Sequence, residues 1–144
     1  MPTVSDVRGR HSVRGSSGAF EVRGIDHVDI TAPEELEADV LGWYESVLGL
    51  EPVAKPDDSP PTGGWFSVGD IELHVTRAEH NPHPHAHFGI EVDDYEAVVQ
   101  RLREANCHIE QARPVEGRHR FYTRDPAGNR IEILSYDGES VAGA

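Results

Sequence analysis

The feature that most constrains this chain is that it repeats itself. GIDHVDITAP at residues 24–33 returns in altered form as PHAHFGIEVD at 84–93, and GDIELHV at 69–75 returns as GNRIEILSY at 128–136. The offset is constant: His27 and His87 are 60 residues apart, and so are Glu72 and Glu132. Each half therefore has the same His-to-Glu spacing of 45 residues. Self-similarity at a fixed offset implies two copies of one structural unit. Related by a pseudo-twofold axis, the copies would bring both histidines and both glutamates towards that axis. Two imidazoles and two carboxylates suit a borderline divalent metal ion.

Side-chain alternation supports the same pairing. In a strand, successive residues face opposite sides. Val28 and Ile30 then share one face while His27, Asp29 and Thr31 share the other. In the second copy Phe88, Ile90 and Val92 oppose His87, Gly89 and Glu91. Ile71, Leu73 and Val75 alternate with Glu72, His74 and Thr76, and Ile131 and Ile133 flank Glu132. Each candidate ligand lies opposite an apolar face that would pack on a helix, so the polar faces would line a cup.

The helices are legible as well. Pro33 with Glu34 and Glu35 suits a helix first turn, Leu36, Val40, Trp43, Tyr44 and Val47 form the apolar stripe, and Gly49 suits the end. In the second copy Asp94 is the N-cap, Tyr95, Val98, Val99, Leu102 and Ala105 follow, and Asn106 is the stop. Turns are predicted at 60–64, at Gly69-Asp70 and at 125–129. Each unit reads strand, helix, strand, strand, strand, giving an α+β fold of paired βαβββ units. The expected organisation is a polar N-terminal arm over 1–21, one domain over 22–137 with units at about 22–79 and 84–137, and a tail over 138–144.

Charge and composition exclude several classes. The formal net charge of -13 opposes binding to a phosphate backbone, so no nucleic-acid partner is expected. No apolar run is long enough to span a bilayer, and the N-terminus lacks the apolar stretch of a secretory signal. The single cysteine, Cys107, cannot form an internal disulfide and reads as a buried structural thiol. A soluble cytoplasmic protein is the expectation. His80, His83 and His85 are separated by prolines and read as a linker. Tyr122 reads either as a hydrogen-bond donor to a bound oxyanion or as a half-buried strand tyrosine. Arg118, His119, Arg120 and Arg130 are weaker candidates for contacting a small anionic ligand.

The ordered set IDHVDI, WYESVLGLE, IELHV, HAHFGIEVDD and FYTRDPAGNRIEIL, over roughly 22–137, resembles the vicinal-oxygen-chelate superfamily. This is the group of glyoxalases, bleomycin-resistance proteins and ring-cleavage dioxygenases. The resemblance implies a homodimer and metal ligands at His27, Glu72, His87 and Glu132, the four residues the repeat also selects. His74 rivals Glu72 on the same strand face, but its counterpart at the repeat offset is Leu134, so it reads either as a support behind the ligands or as a substrate contact, the latter beside Tyr122 and Arg130.

The resemblance implies lyase or isomerase chemistry on a small oxygen-chelating substrate. Nickel, zinc or cobalt would act as Lewis acid and Glu132 as base. True glyoxalase I carries an Arg and an Asn for glutathione where this chain has Thr31 and Thr76, which points away from a glutathione adduct. Two alternatives stay open. One is an iron-dependent dioxygenase using His27, His87 and Glu132. The other is a bleomycin-resistance-type binding protein with Trp65, Phe66 and Tyr122 along its groove, where the acidic balance would suit cationic ligands. The cup forms either within one chain or between two.

Overall fold

The computed structural model describes residues 18–137. Most of the expected arm and all of the expected tail lie outside these residues. The elements follow the predicted order: β1 (His27–Ala32), α1 (Glu34–Ser46), β2 (Glu51–Val53), β3 (Gly64–Val68) and β4 (Ile71–Arg77), then β5 (His87–Glu91), α2 (Tyr95–Glu104), β6 (Glu110–Gln111), β7 (Arg118–Arg124) and β8 (Arg130–Tyr136). They form two four-stranded sheets, ordered β1-β4-β3-β2 and β5-β8-β7-β6. In each, the first strand runs parallel to the last, and the remaining pairs are antiparallel.

Local chemistry sets the element boundaries. Gly49 takes φ +71°, and Leu50 N–H returns to Tyr44 O at 2.9 Å, closing the end of α1. Asp94 accepts from Ala97 N–H at 3.1 Å and caps α2. Asn106, at φ 57°, ends it, a conformation asparagine tolerates better than most residues. Gly69, at φ +54°, supplies the first position of the two-residue turn joining β3 to β4.

The apolar faces meet the helices as the alternation requires. Tyr44 of α1 packs against Phe66, with ring centroids 6.0 Å apart, and Tyr95 of α2 meets Phe121 edge-on at 5.5 Å. Phe66 is thus part of the core, a correction to its expected place along a binding groove. Buried polar contacts tie the units together. Tyr44 OH donates to Asp125 Oδ2 at 2.7 Å, and Asn129 Nδ2 bonds both Asp125 Oδ2 and Thr31 O. His80 contacts Thr31 Oγ1 and Ala127 O, each at 2.7 Å, so this part of the expected linker joins both halves.

The repeat is not copied in register. In the first sheet His27 pairs with Glu72; in the second His87 pairs with Arg130, and Glu132 lies opposite Gly89. The shift is two residues. Because the side-chain period of a strand is also two, every residue keeps its face.

Candidate metal and substrate site

The register puts His27, Asp29, Glu72, His74 and Trp65 on one face of the first sheet. There the rings of β1, β4 and β3 form a stack. His74 lies between His27, at 4.2 Å and 16°, and Trp65, at 3.8 Å and 3°. His74 Nε2 is 3.0 Å from Glu72 Oε1. With the residue only 8% exposed, His74 has little surface left for a substrate. Its position is that of a support for both His27 and Glu72.

On the matching face of the second sheet, His87 reaches diagonally to Glu132, with Nε2 3.2 Å from Oε1. Tyr122 is paired with Glu132 across β7 and β8, and the His87 ring meets the Tyr122 ring edge-on at 5.0 Å. Arg130 stands over the Tyr122 ring, its guanidinium carbon 3.6 Å from the centroid. Arg120 Nη1 donates to Tyr122 OH at 3.0 Å and stands 3.6 Å from Glu132 Oε2. Arg120 was only a weak candidate in the sequence. The signal for its role is its spacing of two from Tyr122, which puts both side chains on the same strand face.

Both candidate histidine ligands are anchored through Nδ1. His87 Nδ1 is 2.9 Å from His85 O, and His27 Nδ1 is 2.9 Å from Asp26 Oδ2. A neutral imidazole that donates from Nδ1 to such an acceptor carries its lone pair on Nε2, which in His87 faces Glu132, as metal-ligating histidines commonly do. The donor types and their anchoring fit a divalent metal ion. Their number within one chain does not: among the described residues no group of three or more His, Cys, Asp or Glu is placed to hold one. The four expected ligands are brought together as two pairs, His27 with Glu72 and His87 with Glu132, on separate sheets. Glu72 and His87 also border one largely apolar groove of about 450 Å³ between the sheets, with Ile25, Val28, Phe88 and Ile90.

Among the described residues no helix is long and apolar enough to cross a membrane. Residues 24–133 match the family model of the Glyoxalase/Bleomycin resistance protein/Dioxygenase superfamily. The chain is 27% identical over 120 residues to the glutathione transferase FosA of Serratia marcescens, spanning 78% of this chain and 80% of that one. Its fold is similar to the crystal structure of a glyoxalase family protein from Bacillus anthracis, with TM-score 0.75, 30% identity, and 81% of this chain and 97% of that one covered. It is also similar to lactoylglutathione lyase from Agrobacterium tumefaciens, with TM-score 0.61, 26% identity, and coverage of 78% and 92%. The repeat, the two βαβββ units and these matches agree, and the chain belongs to the Glyoxalase/Bleomycin resistance protein/Dioxygenase superfamily.

Proposed function

We propose that the protein is a metal-dependent enzyme with lyase or isomerase chemistry on a small substrate, and that its site is completed by a second copy of the chain. The observation that carries this is the pair of anchored histidines, each sharing a sheet face with a carboxylate. One pair is too few donors for a closed site; two pairs supply the three or four protein ligands such sites use. His27 and Glu72 of one protomer would join His87 and Glu132 of the other. Phe20, Val22 and Ile25 are 67%, 74% and 64% exposed, and Ile25 borders the inter-sheet groove; exposed apolar surface of this kind supports association.

Imidazole and carboxylate donors suit a borderline divalent ion, and the family likeness favours nickel, zinc or cobalt. A bound ion supplies Lewis-acid polarisation of adjacent substrate oxygens. Glu132 takes the proton from the carbon beside the substrate carbonyl and returns it to a neighbouring position. Its side chain is 12% exposed, with His87 at Oε1 and Arg120 near Oε2, so its orientation is fixed before substrate arrives. Tyr122 OH, held by Arg120, offers a hydrogen bond to oxygen on which charge develops. The hydroxyls of Thr31 and Thr76 are engaged by His80 and Asp29, which supports a substrate without glutathione. The enzyme names of the transferase and lyase relatives favour catalysis over sequestration.

The test is elemental analysis of untagged protein beside the His87→Ala, Glu132→Ala double variant. The expected result is one divalent ion per completed site in the parent and loss of it in the variant. A parent that holds no ion even after metals are added back would overturn the proposal.

A further inference from the structure

The histidine-rich segment 80–86, expected as a plain linker, runs directly into the candidate ligand His87 at the start of β5. Its last turn is shaped by a side chain of its own. Pro84 disfavours helical backbone at His83 and has no N–H to offer. The next two backbone donors, His85 N–H and Ala86 N–H, both turn back to His83 Nδ1, at 2.9 Å each. Asn and Asp side chains hold tight turns in this way; here an imidazole does so. A ring nitrogen that accepts both bonds carries no proton, so the proton of the neutral His83 ring is on Nε2. The chain bends at Pro84 and His85. Arg124 Nη2 steadies the bend by donating to Pro84 O at 3.0 Å. The bend delivers the His85 carbonyl to two donors, His87 Nδ1 at 2.9 Å and Arg130 Nη1 at 3.1 Å.

That carbonyl has a competitor. His87 Nε2 is 3.2 Å from Glu132 Oε1, and a neutral imidazole has one proton for the two acceptors. A metal ion at Nε2 requires the proton on Nδ1, at the His85 carbonyl. Residues 83–86 are exposed, so water would satisfy the N–H groups of the bend in the absence of the His83 ring. Folding does not depend on this cap; the aim of the His85 carbonyl does. We propose that His83 is a positioning residue for His87: by holding the His85 and Ala86 N–H groups it directs the His85 carbonyl at His87 Nδ1 and selects the tautomer whose Nε2 can take a metal ion. The purpose of that tautomer rests on the reading above that His87 is a ligand; the tautomer itself does not.

The experiment records long-range proton–nitrogen NMR correlations of the imidazoles in the isotope-labelled full chain at about pH 8, above the ordinary histidine range. Spectra are taken without metal, and zinc affinity is then measured by competition with a chelator. His87→Ala assigns the His87 signals. In the metal-free protein His83→Ala is expected to lower the His87 ratio of Nδ1–H to Nε2–H tautomer by about two- to tenfold, the effect of one neutral hydrogen bond. Zinc affinity should fall by a similar factor. His83→Asn, whose Oδ1 takes the place of Nδ1 as acceptor, should keep both quantities within about twofold of the parent. An unchanged tautomer ratio in His83→Ala, or an Asn variant as impaired as the Ala variant, would overturn the proposal. Zinc binding separates the two readings. A tautomer change in a protein that binds no zinc upholds the role of His83 and removes the metal enzyme. Zinc held equally by the parent and by His83→Ala, with the tautomer ratio unchanged, does the reverse.

Discussion

His74 shows how much one side chain can decide. It is held between Trp65 and His27 and is bonded to Glu72, so it fixes a candidate ligand on each side. Supports of this kind typically matter to metal affinity by about 10–100-fold. His74→Ala is therefore expected to weaken metal binding by that order in a competition titration with a chelator, with the fold retained by circular dichroism. An unchanged affinity would mean that His27 and Glu72 do not need the stack. The sequence offered His74 as a rival ligand, a support behind the ligands or a substrate contact. Alternation fixed its face, but the ring stack depends on β3 bringing Trp65 opposite it, and antiparallel partners are not written in either strand alone. Tyr44 is a second residue-scale case. Burial pushes its hydroxyl well above the usual tyrosine range, and the neighbouring Asp125 carboxylate adds to the shift. Tyr44→Phe removes one donor from a buried carboxylate and is expected to cost about 1–3 kcal/mol in denaturant unfolding. A loss below the error of that measurement would contradict the account of the inter-unit contact.

At the scale of elements, the helices and turns were legible because their signals are local: Asp94, Gly49, Asn106 and Gly69-Asp70 act within a few residues of themselves. The two-residue shift between the β1–β4 and β5–β8 pairings was not legible, because a shift by the strand period leaves the hydrophobic pattern unchanged. The β2–β3 connection depends on α1. Glu37 accepts from Gly63 N–H and from Arg77 Nε, the latter at 2.6 Å. The Gly63 hydrogen bond is the main reason its carboxyl sits below the ordinary glutamate range; Arg77 lowers it further, against burial, which raises it. A carboxyl depressed in the folded state stabilises it at pH above the unfolded value, and that stabilisation is lost as pH falls through the native value. Glu37→Gln should therefore melt lower than the parent at pH 7, with the gap narrowing below about pH 4. A gap independent of pH would contradict an ionised Glu37. Gly63 itself has φ +77°, and an added Cβ would lie 2.1 Å from Val75 O, so Gly63→Ala should cost about 3 kcal/mol or more by thermal or urea unfolding.

For the whole molecule, the repeat identified the four candidate ligands but could not say which copies of the unit face each other. That depends on packing between sheets, which no strand-level pattern encodes; the described chain keeps the two His and Glu pairs on separate sheets. The central claim is that each site joins a pair from one protomer to a pair from another. Its most direct test uses two variants, His27→Ala with Glu72→Ala and His87→Ala with Glu132→Ala, each without metal on its own. They are unfolded together, refolded as a mixture and assayed for bound metal beside the parent. The account predicts that the mixture regains metal that neither variant holds, because half of the sites in a mixed dimer carry both intact pairs. A mixture that stays empty while the parent binds metal would contradict it.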